Sequence, residues 1–186
     1  MAQLSAAATE TLRREVFATG ALSTYILIDG AAVAALLDHL YADRPNFACL
    51  FTGPLDPDMQ EMAPYLVELR EGESFTEWVL NHGFGEHWGV FLRGRLALDQ
   101  ARRRFRKLLF ARSADGDPLF FRFYDPRVFR GYLPSCVGPE RWPWFDEIDC
   151  YLVEAEAGDC LLRISAGADE QVLVEERPLT GTNPAP

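Results

Sequence analysis

Two hydrophobic rhythms alternate along this chain. Residues 24–28 form a β-branched and aromatic run that ends at Asp29-Gly30, which predicts a first strand. Over 31–41 the spacing changes to three and four, with Val33, Leu36, Leu37 and Leu40 on one face, which predicts a helix closed by Arg44-Pro45. The same alternation repeats downstream. Strands are predicted at 47–51, 65–69 and 88–92, and helices at 57–63, at 75–82 after the N-cap residue Ser74, and at 97–109. The helix over 97–109 has the sharpest pattern, with Leu98, Ala101, Phe105 and Leu108 on one side and Arg95, Asp99, Arg102 and Arg106 on another. Ahead of all this, 9–19 has helix-compatible composition with only a weak apolar face.

Later in the chain the pattern becomes strand-like. Runs at 108–112 and 119–124 flank an Asp-Gly turn signal and predict an antiparallel hairpin. Strand 119–124 then leads directly into Asp125-Pro126-Arg127, where Asp125 is placed to cap a helix whose first position is Pro126. Pro134, Pro139 and Pro143 break the next stretch into short helical pieces, and 150–153 with 160–164 predicts a second hairpin. The expectation is one α/β domain, with α+β as its variant: a mixed β-sheet covered by helices and a C-terminal hairpin extension. Its expected parts are an N-terminal extension or marginal helix at 1–23, the α/β domain at 24–145, an acidic extension at 146–177 and a disordered tail at 178–186.

Composition narrows the class. A chain of 186 residues with 48% hydrophobic and 12% aromatic content can bury a real core. No window has the roughly 18 uninterrupted apolar residues of a membrane helix, and charges at Glu10, Arg13, Arg14 and Glu15 argue against a signal peptide, so a cytoplasmic location is expected. Cys49, Cys136, Cys150 and Cys160 are scattered and are expected to be reduced packing residues. The net charge of -10 disfavours nucleic acid and anionic membrane as partners. Its distribution is uneven: residues 93–112 hold eight basic groups against Asp99, whereas 146–177 holds ten acidic groups against Arg163 and Arg177. The basic helix suits carboxylates of a protein partner, making Arg95, Arg102 and Arg106 secondary candidates for partner binding.

Candidate chemistry is sparse. His82, Glu86 and His87 have the wrong spacing for a zinc motif, and Gly83 and Gly85 break the helix that would align them, so no metal is expected. His39, beside Asp38, is expected to be partly exposed. The glycines at 83, 85 and 89 lead into a strand, the reverse of a dinucleotide-binding loop, and Lys107 is the only lysine. Asp29, Glu68 and Asp125 each end a predicted strand and could serve a small hydrolase or transferase, although capping explains Asp29 more simply. No cofactor is expected.

Four blocks, Tyr25-Ile-Leu-Ile-Asp-Gly-Ala, Pro64-Tyr-Leu-Val-Glu-Leu, Trp88-Gly-Val-Phe-Leu-Arg and Leu119-Phe-Phe-Arg-Phe-Tyr-Asp-Pro-Arg-Val, occur in an order that resembles the effector chaperone or adaptor domain (Tap/TEC-like) of bacterial type VI secretion systems. The family was long filed as a domain of unknown function, and the resemblance runs from about Tyr25 to about Trp144. It implies an adaptor that is not an enzyme, with an effector toxin and the VgrG spike as partners. On the matching motif it implies Arg122, Tyr124, Asp125 and Arg127 as partner-binding residues, with Asp125 orienting Arg127. An immunity-like inhibitor of a basic toxin is a further alternative that the acidic charge admits.

Overall fold

The run Tyr25-Ile-Leu-Ile forms the middle of β1 (Ser23–Asp29), and all four side chains are buried. Ile26 and Ile28 enter one apolar cluster, Tyr25 and Leu27 another, as the two-residue period of a strand requires. A sheet buried on both faces explains why its central strands read as unbroken hydrophobic runs. A computed structural model describes residues 4–18, 22–112, 115–158 and 160–179.

β1 lies between β3 (Pro64–Leu69) and β4 (Gly89–Gly94), and β2 (Phe47–Cys49) edges the sheet outside β3. On the other side β7 (Ile148–Glu154), β8 (Cys160–Ala166) and β9 (Val172–Pro178) continue outward from β4. Each pairing in this seven-stranded sheet is antiparallel. The expected α/β class is therefore found, in its antiparallel form. Residues 146–177, read from the sequence as an acidic extension, supply three strands of the main sheet.

One face is covered by α1 (Ala6–Val16), α2 (Leu36–Asp43) and α4 (Ser74–His82), through Leu12, Val16, Leu36, Leu40, Phe75 and Val79. The opposite face is covered by α5 (Leu98–Leu108), α6 (Pro126–Tyr132) and α7 (Trp142–Phe145), through Ala101, Phe105, Phe129 and Trp144. The short α3 (Pro57–Met62) starts at Asp56, whose carboxylate accepts from Met59 N–H, and precedes β3. A separate hairpin pairs β5 (Phe110–Arg112) with β6 (Pro118–Phe120).

Several sequence expectations are corrected. The helix expected over 31–41 begins only at Leu36, because Asp29 caps a single 3-10 turn at Gly30–Ala32 and Val33 leaves helical geometry at φ -131 and ψ 86. Gly30 is locked there by close approach: a Cβ would sit 2.3 Å from Glu61 O. In α4 the cap position is Glu73 and Ser74 is already helical. The weak N-terminal helix is firmly docked, capped by Ser5 and tied to α4 by a two-pronged pair from Arg13 to Glu77, one prong at 2.6 Å. The strand expected over 119–124 stops at Phe120, because the rings beyond it turn inward: Phe123 and Tyr124 are buried in the aromatic cluster around Trp144. At the C-terminus Pro178 ends β9 and Leu179 is buried, while the rest of the expected tail, 180–186, lies outside the described residues.

Candidate functional site

The antiparallel order brings the last residue of β1, the loop before β4 and the last residue of β7 to one end of the sheet. Asp29 and Glu154 therefore reach the same end of the sheet with β4 between them, Glu154 against the loop at 83–88 and Asp29 joined by Arg122 ahead of α6. Asp29 N–H donates to Trp88 O at 2.8 Å, its Oδ1 accepts from Ala31 N–H at 3.1 Å, and its Oδ2 accepts from Arg122. Asp125 caps α6, accepting from Arg127 N–H at 2.9 Å, from Nε at 3.0 Å and from a terminal guanidinium nitrogen at 2.8 Å. Glu154 accepts from Gly85 N–H at 2.6 Å and meets His87 Nδ1. To reach it the loop takes left-handed backbone at Gly85 (φ +83) and at His87 (φ 58), the second an uncommon conformation for a residue with a Cβ.

All three carboxylates are buried, whereas the side chains of Arg122 and Arg127 are 46% and 57% exposed. Charge-assisted bonds to Asp29 and to Asp125 raise the pKa values of Arg122 and Arg127 respectively, and Arg127 also feels Asp29 and Glu154. Burial pushes the Asp125 carboxyl up, but the bonds and charge of Arg127 outweigh it and leave it below its ordinary value. Tyr124 is buried under this layer, its phenol pushed up to about 12 chiefly by burial and then by the charge of Asp29. The Arg122 guanidinium lies 6.0 Å from the Tyr124 ring centroid. Chemically, the cluster turns anchored cations outward and keeps the anions that hold them beneath the surface.

The sequence motif thus does come together, with Tyr124 as support for Arg122. The basic residues of α5 and its approach separate. Arg95 is exposed before α5, Arg102 Nε donates to Cys49 O at 2.9 Å, and Arg106 faces a groove near the small hairpin. Glu68 bonds Asn46 at 2.8 Å and pairs in register with Tyr25, four positions along β1 from Asp29, so the structure does not assemble it with Asp29 and Asp125. The histidines diverge: His82 bonds Trp78 O, and His39 stacks on the Trp78 ring at 3.8 Å while bonding Asp43. Among the described residues no group of three or more His, Cys, Asp or Glu is arranged to hold a metal. Sequence reasoning missed Glu154, which it placed in a hairpin turn. The available signal was that Glu154 continues the apolar strand run and shares a face with Leu152, two positions earlier.

Asp125 gives a pH prediction. A carboxyl whose folded pKa is depressed contributes stability above its unfolded pKa of about 4, and that contribution is lost as pH falls through the folded value. The Tm of the unaltered chain is expected to fall more steeply below about pH 4 than that of Asp125→Asn. Parallel Tm-against-pH curves for the two proteins would count against this role.

A model of the family described as "Domain of unknown function (DUF4123)" matches residues 24–142, and the chain belongs to that family. The match spans β1 through the first residue of α7, and so includes Asp29, Arg122, Tyr124, Asp125 and Arg127, but stops before β7 and Glu154. No curated protein and no solved structure matches the chain.

Proposed function

We propose that the chain is an adaptor of type VI secretion, a cytoplasmic binding protein that holds one effector toxin and helps load it onto the VgrG spike. The observation that carries this reading is the pairing at the sheet end, where buried Asp29 and Asp125 brace Arg122 and Arg127 from behind. A braced guanidinium presents its planar donor fork with less entropy left to lose, which suits capture of a carboxylate on a protein surface. Family membership and the four motif blocks support the same reading. The hydrolase or transferase alternative has weaker support, since Asp29 and Asp125 are each committed to capping and cation partners and Glu68 bonds Asn46 away from both.

An adaptor needs two faces, each interface burying roughly 1,000 Å² or more in total. Affinity purification of the tagged protein from its own host, followed by mass spectrometry, tests the reading. Recovery of a spike protein with one large toxin is expected. Recovery of neither while the secretion genes are expressed would argue for a different function. Arg127→Ala is expected to weaken effector capture by about tenfold, the size of one charge-assisted hydrogen bond, while the variant still melts cooperatively. Unchanged capture by that folded variant removes Arg127 from the interface.

A further inference from the structure

The surface beside the β5–β6 hairpin is separate from the arginine site and is unusually apolar. Phe110 is 64% exposed, Leu119 51% and Phe120 46%. Phe120 meets Phe51 and Phe110 edge-on, at 5.8 and 5.7 Å between ring centroids. With Leu50, Leu55 and Met59 these rings wall a groove of about 500 Å³. Arg106 lines both this groove and an adjoining trough of about 830 Å³, which also holds Arg103 and Lys107.

The cations on α5 divide into two sets. Arg102 is bonded to Cys49 O and Arg104 is paired with Asp146. Arg103, Arg106 and Lys107 have no hydrogen-bonded or ion-paired partner among the described residues; Arg106 borders the apolar groove, and all three line the trough beside it, where Glu147 is the one carboxylate in the lining, in a chain of net charge -10. An apolar groove that opens into a trough with an excess of positive charge selects an occupant with the opposite pattern.

We infer that groove and trough together form a docking surface for an amphipathic polypeptide segment, its bulky apolar side chains entering the groove against Leu50, Leu55, Met59 and the faces of Phe51, Phe110 and Phe120, and its flanking Asp or Glu residues meeting Arg103, Arg106 and Lys107. Nucleic acid is disfavoured because the chain as a whole is acidic, with a net charge of -10. The inference deepens the adaptor reading and rests on it only for which protein bears the segment.

The test is independent of that protein. A random 12-residue peptide library displayed on phage is panned against the immobilised full chain, and selected peptides are then measured by fluorescence anisotropy. Expected are peptides that combine Phe, Leu or Trp with Asp or Glu, weakened at least tenfold by Phe120→Asp and by Arg106→Glu. The second variant leaves the hairpin rings in place and so separates docking from hairpin stability. Selection of basic or uncharged peptides, failure to enrich any, or binding by both variants as tight as by the unaltered chain overturns the inference. So does a dimer of the unaltered chain that Phe120→Asp dissolves, or tighter binding of labelled oligothymidine than of every peptide. Capture of effector and spike from the host by both variants as efficiently as by the unaltered chain would overturn the docking surface and leave the adaptor reading standing. Enriched acidic peptides with neither protein captured would do the reverse.

Discussion

Ending the chain after Asp149 is expected to abolish cooperative folding. The deletion removes most of β7 and all of β8 and β9, and β7 is an internal strand beside β4. Leu152 leaves the cluster under α1, α2 and α4, while Tyr151 and Val153 leave the one under α5, α6 and α7, so both layers lose buried side chains together. The bared edge of β4 presents unpaired backbone groups beside Phe91 and Leu92, a template for pairing with other chains. Near-UV circular dichroism should vanish, and the product should bind hydrophobic dyes and aggregate. A truncated monomer that melts cooperatively would show that the chain up to Asp149 folds alone. The same logic means that loss of partner binding on this truncation would say nothing about an interface.

Trp144→Ala is the point substitution expected to cost most. The indole is 2% exposed and lies among the rings of Phe123 at 5.3 Å, Phe129 and Tyr132 at 5.8 Å, and Phe121 and Tyr151 at 6.4 Å. Tyr151 also donates its hydroxyl to Trp144 O at 2.6 Å, fixing α7 against β7. Aromatic-to-alanine changes in such packing cost about 3–5 kcal/mol, against a total stability of about 5–15 kcal/mol for ordinary domains. Urea unfolding should show a lowered midpoint with an unchanged slope, and Trp144→Phe should recover part of the loss. A loss below about 1 kcal/mol would mean that the neighbouring rings collapse into the space without penalty.

How legible each element was in the sequence depends on where it gets its stability. β1 was readable because burial on both faces demands a continuous apolar run, and α5 because its period separates Ala101 and Phe105 from a row of arginines. α1 was underestimated because its docking depends on Leu12, Val16 and a bond between Arg13 and Glu77, 64 positions apart, which no local pattern carries. β9 was unread because it is an edge strand with exposed Leu173 and Val174 and the charged run Glu175-Glu176-Arg177, and an edge needs little apolar content. At the site, the Asp125 cap and its hold on Arg127 were local and visible. The bond from Arg122 to Asp29 spans 93 positions and that from His87 to Glu154 spans 67, so both were set by topology alone.

The strand order also governs how the protein is made. β4 leaves the ribosome long before β7, with the small hairpin, α5 and α6 emerging in between. At about 5–20 residues per second, the roughly 50 intervening residues take about 3–10 seconds to synthesise. Throughout that interval the edge of β4 that β7 will cover is bare on the nascent chain. Slowing translation after α5 is thus expected to lower the yield of folded protein, because the β4 edge waits longer for the strand that covers it.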